Sequence, residues 1–314
     1  MDNQITVREM TSPGGLSRFW EELENCRDSF SDPADGDRES LLGPTCRASL
    51  ASLRTREGAS LRCLFFQREG RDLGFAMPVL RPGEDGRCFL TAFCVFPEFR
   101  GSGTGRACAS ALLDWGRGHG AAYFELNAGT DRLRRFWRSV GFLPNGRDEA
   151  GTPLMLLPPE ERVPFTVERL DSGKNPALGR QLERLENSFL AEIGEEALDA
   201  EKTARLAEAV RSGRITFFLA RRGYRAVGMC SVSPCFSTFA CAETGVFDDF
   251  FVEPAFRRQG AARLLAEAAR RWCRERGMAS LTVGCWPGDA DMYRALGFAA
   301  ELGTMLAANM QDPL

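Results

Sequence analysis

Histidine is all but absent from this chain: His119 is the only one in 314 residues, set in a Gly-His-Gly that closes a helix-forming stretch. That scarcity excludes Ser-His-Asp and Cys-His catalysis and any histidine-rich metal site. For His119 itself the expected place is a helix C-terminus, outside any candidate site. No Cys-x-x-Cys pair occurs among the eleven cysteines, and Cys63, Cys94, Cys230 and Cys285 lie inside apolar runs. These are expected to be free, mostly buried thiols of a reducing compartment, not a disulfide or zinc framework. The formal net charge is only −3, which gives no electrostatic case for nucleic acid or an anionic membrane surface. No apolar run approaches the ~20 residues that span a bilayer, and no N-terminal signal pattern is visible. The expectation is a soluble, cytoplasmic protein that binds neither metal nor membrane.

What is present is a repeat. Phe93 to Arg106 reads FCVFPEFRGSGTGR and Phe250 to Arg263 reads FFVEPAFRRQGAAR, with seven of fourteen positions identical at an offset of 157. The match runs on through Trp115 and Trp272 to Gly120 and Gly277, and RFWRSVGF (135–142) faces DMYRALGF (291–298) at an offset of 156. Self-similarity on this scale means one domain used twice. The hydrophobic share of 44% and charged share of 26% suit two globular domains of roughly 150 residues each. The Pro- and charge-rich PPEERVPF (158–165) reads as the linker, giving domains over 1–158 and 164–314. In both, strands alternate with helices, so the fold class is α/β with a mixed central sheet flanked by helices.

Both copies of the repeated motif run from strand through a tight small-residue turn into a helix. The first turn of a helix leaves N–H groups without partners, and the peptide dipoles favour negative charge there. Gly260, Ala261 and Ala262 let an anion approach the backbone, while Arg257 and Arg258 add positive charge. The spacing is neither a Walker loop nor a dinucleotide fingerprint. Two adjacent acids, Asp248 and Asp249, interrupt the preceding apolar run, and Thr91 and Ala92 replace them in the first half.

An R/Q-x-x-G-x-G/A turn after the fourth strand, followed by F-W/Y-x-x-x-G-F after the fifth, resembles the GNAT superfamily of acyl-CoA N-acyltransferases, once per half. The resemblance implies two tandem GNAT-like domains. It also implies acetyl-CoA as acyl donor, its pyrophosphate held by loop N–H groups and its pantetheine arm by a splayed fourth strand. By position, Phe251 and Val252 would meet the pantetheine and thioester. Arg257, Arg258, Gln259, Gly260, Ala261, Ala262 and Arg263 would hold the phosphates, although Gln259 and Ala262 stand where the family often has glycine. In the first half the matching residues are Val95, Arg100, Gly101, Ser102, Gly103, Thr104, Gly105 and Arg106. Tyr293 stands where the family places the donor to the departing thiolate. Trp137 occupies that position in the first half, and its indole N–H is no proton-transferring acid.

FDDFFV is similar to the strand of diamine acetyltransferases, which assigns Asp248 to proton removal through water and Asp249 to the substrate amine. Neighbouring strand residues point to opposite faces, so both aspartates can serve only if the strand is distorted or water relays the proton. The expected activity is direct transfer of an acetyl group to a primary amine of a small, cationic substrate by the second half, as a monomer or homodimer. The first half is expected to be catalytically degenerate, either binding acetyl-CoA without turnover or serving as a packing partner. A non-catalytic acyl-CoA sensor is the alternative for the whole chain. Ser231 to Glu243 and the acids near Glu192 to Glu196 are expected to line the acceptor pocket. Cys285 is expected to be inert packing, and Trp286-Pro287 replaces an asparagine usual in the family.

Overall fold

The structure, a computed structural model, describes residues 4–26, 59–82, 85–148, 151–159, 163–170 and 176–303. It divides into two compact units, Met1–Arg162 and Val163–Leu314.

In the first unit, Ser12 caps helix α1 (Pro13–Asn25), its hydroxyl accepting from the Gly15 N–H. Strands β1 (Thr6–Glu9), β2 (Ser60–Leu61), β3 (Leu64–Arg68), β4 (Arg71–Arg81) and β5 (Arg87–Val95) follow the apolar runs. Then come helix α2 (Thr104–Gly118), β6 (Tyr123–Asn127), α3 (Asp131–Val140), β7 (Leu143–Arg147) and β8 (Pro153–Leu157). The sheet order is β1-β3-β4-β5-β6-β8-β7, with β2 also on β4, and only the β5–β6 pairing is parallel.

Strand alternation sorts the core onto two faces. Phe65, Phe75, Met77 and Val79 join Phe19 of α1, while Leu64, Phe66, Ala76 and Leu80 join Leu112 of α2 and Phe124. Burial on both faces explains why β3 and β4 are nearly continuous apolar runs. His119 is the C-cap residue of α2, its Nδ1 2.7 Å from the Trp115 carbonyl oxygen and its ring stacked on the indole.

The second unit repeats the plan with β9 (Phe165–Arg169), α4 (Pro176–Ile193), α5 (Ala200–Arg211), β10 (Thr216–Arg222), β11 (Arg225–Ser237), β12 (Ala242–Val252), α6 (Ala261–Glu275), β13 (Leu281–Val283) and α7 (Ala290–Ala295). Its sheet runs β13-β12-β11-β10-β9, with only β12–β13 parallel. α6 is built of strong helix formers, and its buried residues Ala261, Leu265, Ala266, Ala268, Ala269, Trp272 and Cys273 follow the helical period.

Some elements depart from the sequence expectation. β7, to which no element is assigned from the sequence, forms despite Pro144 and Gly146 as an edge strand, where proline is tolerated, with irregular register against β8. α5 starts at Ala200 and not at Glu195, because Asp199 is its N-cap and accepts from the Lys202 N–H at 2.7 Å. The helix expected near Cys46–Arg56 lies outside the described residues, as does the final part of the chain where the second closing strand is expected. Cys63, Cys94 and Cys230 are buried, but Cys285 is exposed, and Trp286 beside it is 81% exposed. β13 ends at Val283, so the apolar run that suggested burial for Cys285 continues past the end of its strand.

Candidate active site

The second unit opens a cleft in its sheet. β13 pairs with β12 only over Gly245 to Phe247, while β12 continues to Val252. From Asp248 onward the strand edge on this side has no partner strand among the described residues, so its backbone groups are not consumed by a ladder. On its other edge β12 carries a bulge. Pairing with β11 passes from Ser231↔Asp248 to Met229↔Phe251, so Asp249 and Phe250 together face Cys230. Asp249 sits at φ +47, a left-handed conformation that Asp tolerates better than most residues.

The bulge turns both aspartates toward one place. The Ser231 hydroxyl donates to Asp249 Oδ2 at 2.6 Å, and the Asp249 N–H donates to Asp248 Oδ1 at 3.0 Å. Burial raises the Asp249 carboxyl above its ordinary range; the Ser231 hydrogen bond opposes this and the Asp248 charge adds to it. A third acid joins them from α4. Glu186 is only 7% exposed, and its Oε1 has no hydrogen-bond partner among the described residues. Its carboxyl is pushed up to about 8, first by burial, then by the charges of Asp249 and Asp248. The expectation named Glu192 to Glu196 in this region and missed Glu186. The available signal was spacing: Glu186 lies on the same stripe of α4 as buried Leu182, Leu185 and half-buried Phe189, a place where a solvated glutamate does not belong. Glu192 instead binds Arg257 Nη2 at 2.5 Å. Ser231 to Glu243 form the end of β11, the hairpin turn and the start of β12, with Phe236 and Phe239 exposed.

Tyr293 stands among Phe250, Phe247 and Phe298, with ring centroids 5.9, 6.5 and 6.0 Å away. Its phenol is pushed up to about 12, chiefly by burial, with Asp289, Cys285, Asp248 and Cys230 adding to the effect. At neutral pH it therefore keeps its proton.

Below the cleft, Pro254–Phe256 make a single 3-10 turn and the chain enters α6 through Gly260 at φ +100. Arg257 folds back, its Nε donating to the Val252 carbonyl at 2.8 Å. Gln259 donates to the Ala255 carbonyl at 3.0 Å and accepts from Arg222 at 2.8 Å. These two side chains fasten the loop, while Arg258, at φ +62, and Arg263 are exposed. Phe251 and Val252 bury their side chains, so a ligand in the cleft meets their backbone. A Cβ at Gly260 would have no atom within 4 Å, so the turn into α6, whose first N–H groups lack helical partners, is not crowded at that point. This arrangement fits a pyrophosphate in the loop and an extended amide-bearing arm along β12.

The first unit has the same frame with different chemistry. β5 pairs with β6 only from Arg87 to Leu90 yet runs on to Val95, and Arg100 Nε donates to the Val95 carbonyl at 2.8 Å, as Arg257 does to Val252. Gly101 and Gly103 adopt φ of +91 and +82, and the Ser102 and Thr104 hydroxyls lie 2.9 Å apart. Gly105 faces the Phe136 ring, and Arg106 donates to Ser139 at 3.1 Å. Trp137 is 5% exposed and wedged against Phe93, Phe136 and Phe142. Ala92, at the position of Asp249, is buried. Trp137, Thr91 and Ala92 thus stand where the second unit has Tyr293, Asp248 and Asp249. Among the described residues no cluster of three metal-ligating side chains occurs, and no helix is long and apolar enough to cross a membrane.

The sequence profile of the acetyltransferase (GNAT) family matches twice, over residues 19–142 and 180–298. No curated protein matches the chain. Among solved structures, an aminoglycoside acetyltransferase from an uncultured soil metagenomic sample is similar at 20% identity and TM-score 0.42, over 47% of this chain and 97% of its own. Glucosamine-6-phosphate N-acetyltransferase from Arabidopsis thaliana is similar at 15% identity and TM-score 0.38, over 48% and 100%. A predicted acetyltransferase from Clostridium acetobutylicum, solved with acetyl-CoA, is similar at 14% identity and TM-score 0.40, over 47% and 97%.

Proposed function

Because the chain belongs to the acetyltransferase (GNAT) family, we propose that its second unit transfers an acetyl group from acetyl-CoA to a primary amine of a small cationic substrate, by direct attack within a ternary complex. The observation that carries this reading is the convergence on one cleft of an unpaired strand edge, an anion-binding helix start, two strand acids and a neutral phenol. Acetyl-CoA, when bound, supplies the acetyl group as an activated thioester. Gly260, Ala261, Ala262 and Arg263 would hold its phosphates through backbone N–H groups, with Arg258 adding charge. The β12 backbone at Phe251 and Val252 would hold its arm and place the thioester.

The pocket acids act on the acceptor. An alkyl ammonium keeps its proton until about pH 10 in water, so a carboxylate of the pocket must take one proton before the nitrogen has a lone pair. Asp249, fixed by Ser231, anchors the ammonium, and Asp248 lies beside it at the open end. Tyr293 faces the departing sulfur. Its phenol is a weaker acid than an ordinary thiol, so it stabilises the thiolate by donating a hydrogen bond, not by giving up its proton. Holding amine and thioester together supplies much of the rate.

The first unit favours a second role for its own cleft, binding of the same donor without turnover. Its loop geometry supports this, and Trp137, Thr91 and Ala92, which stand where the second unit has Tyr293, Asp248 and Asp249, are not groups that take or donate the necessary protons. The test is loss of thioester absorbance from acetyl-CoA with putrescine, spermidine and glucosamine as acceptors. Amine-dependent loss is expected in the wild type; its absence with every cationic amine leaves the sensor reading in its place.

A further inference from the structure

We infer that Glu186, on helix α4, is the group that receives the acceptor's proton, with Asp249 and Asp248 holding the ammonium in front of it. The inference rests on the transfer reading above and assigns a chemical role that the strand motif alone would give to Asp248.

The geometry carries it. Glu186 is buried on the face of α4 that packs against β11 and β12, yet its Oε1 meets no donor among the described residues. A buried carboxylate oxygen without a partner is costly, and such groups are kept where a ligand completes them. Arg184, on the same helix, and Arg257, tied to that helix through Glu192, are committed elsewhere. Arg184 binds Glu253 and the Ala226 carbonyl, and Arg257 binds Glu192 and the Val252 carbonyl. The charged groups acting on Glu186 are Asp248 and Asp249 from β12, and Asp249 is already bonded to Ser231 of β11. No positive charge among the described residues balances the three acids, so a cationic ligand is the missing member of the cluster.

Its proton affinity then suits the task. A base works best when its affinity lies near the operating pH, and burial with the neighbouring aspartate charges holds the Glu186 carboxyl at about 8. The step balances. The ammonium gives one proton to the Glu186 carboxylate, leaving a neutral amine and a carboxylic acid. The nitrogen lone pair forms the new C–N bond as the C–S bond breaks, the nitrogen's next proton goes to sulfur, and Glu186 returns its proton to solvent after the amide leaves.

The experiment is the pH dependence of thioester loss with spermidine in the wild type, Glu186→Gln, Glu186→Asp and Asp248→Asn. In the wild type, kcat/KM should rise with pH through a limb near 8, the value of the free enzyme. The limb of kcat should lie at lower pH, because the bound ammonium replaces a field of negative charge with an attractive one. Glu186→Gln should lose the limb and about a hundredfold or more in kcat. Glu186→Asp should restore part of the rate with a displaced limb, which mere filling of space would not produce. Asp248→Asn should raise KM and keep a limb. If Glu186→Gln keeps both rate and limb while the wild type turns over, or if Asp248→Asn alone abolishes the limb, the inference is overturned and the transfer reading survives. If the wild type consumes no thioester with any amine, both fall together.

Discussion

At the scale of single residues, the buried acid of α4 has a consequence that needs no substrate. Glu186 has its affinity raised from the ordinary 4.5 to about 8, so the folded protein holds a proton there that the unfolded chain has released. Stability contributed by such a group is full below the unfolded value and falls as pH rises toward the folded one. The wild type should therefore lose stability between roughly pH 4.5 and 8 relative to Glu186→Gln, which cannot ionise. The gap should reach on the order of a few kcal/mol above that window, and comparing melting temperatures across pH reads it directly. Equal pH dependence in the two proteins would mean that Glu186 is solvated or paired. Tyr293 makes the complementary case. Tyr293→Phe keeps the ring contacts with Phe250 and Phe298 and removes only the hydroxyl, so kcat should fall about a hundredfold with little change in the melting temperature. A matching fall in stability would make the tyrosine a packing residue.

At the scale of elements, what is legible in the sequence depends on whether one residue type dictates the geometry. The turn into α6 is legible because Gly260 must reach φ +100, and α3 is legible to its last residue because Thr130 caps it and Gly141, at φ +108, ends it. The same holds for the first-unit turn, where Gly101 and Gly103 reach φ +91 and +82. The bulge at Asp249 is not legible, since nothing in FDDFFV says which strand residue slips out of register. Glu186 was hidden because it is sequence-distant from the loop and only tertiary packing brings α4 over it. The repeat also shows a glycine whose role is contact, not dihedral freedom. A Cβ on Gly228 would lie 2.8 Å from the Phe251 carbonyl oxygen, and one on Gly74, its counterpart, 2.1 Å from that of Cys94.

The attachment of α4 to the strands is a buried ion cluster that sequence spacing does not reveal. Glu253, the residue before the loop, binds Arg225 through both carboxylate oxygens and Arg184 at 2.5 Å, and both Glu253 and Arg225 are fully enclosed. Removing one partner leaves buried charge uncompensated. Glu253→Gln should therefore cost about 3–5 kcal/mol in urea unfolding, whereas breaking the exposed pair Arg294–Asp291 should cost less than about 1 kcal/mol. Comparable effects from the two would show that the buried cluster is relaxed in solution.

At the scale of the whole molecule, the chain holds two copies of one frame with different residues at the proposed catalytic positions, and the two properties separate experimentally. In both units the strand edge is open past the same position, the arginine folds back onto the last strand carbonyl, and a glycine in the left-handed region starts the helix. On the proposed function, donor binding depends on that frame and transfer on Tyr293, Asp248 and Asp249, whose counterparts by position in the first unit are Trp137, Thr91 and Ala92. Titration of acetyl-CoA into the wild type should therefore show two equivalents bound, and Gly103→Glu and Gly260→Glu should each lose one. Both positions have open space around the added side chain, so the carboxylate acts by repelling the phosphates. Because positive φ strains any L residue, Gly103→Asn and Gly260→Asn, which tolerate that region, should keep binding and so separate charge from strain. Transfer should survive Gly103→Glu and vanish in Gly260→Glu. A single equivalent in the wild type, lost only with Gly260→Glu, would make the first unit a packing partner whose loop has outlived its ligand. A single equivalent lost only with Gly103→Glu would sink the assignment of the active site, because Tyr293 and the acids would then face a cleft with no acyl donor.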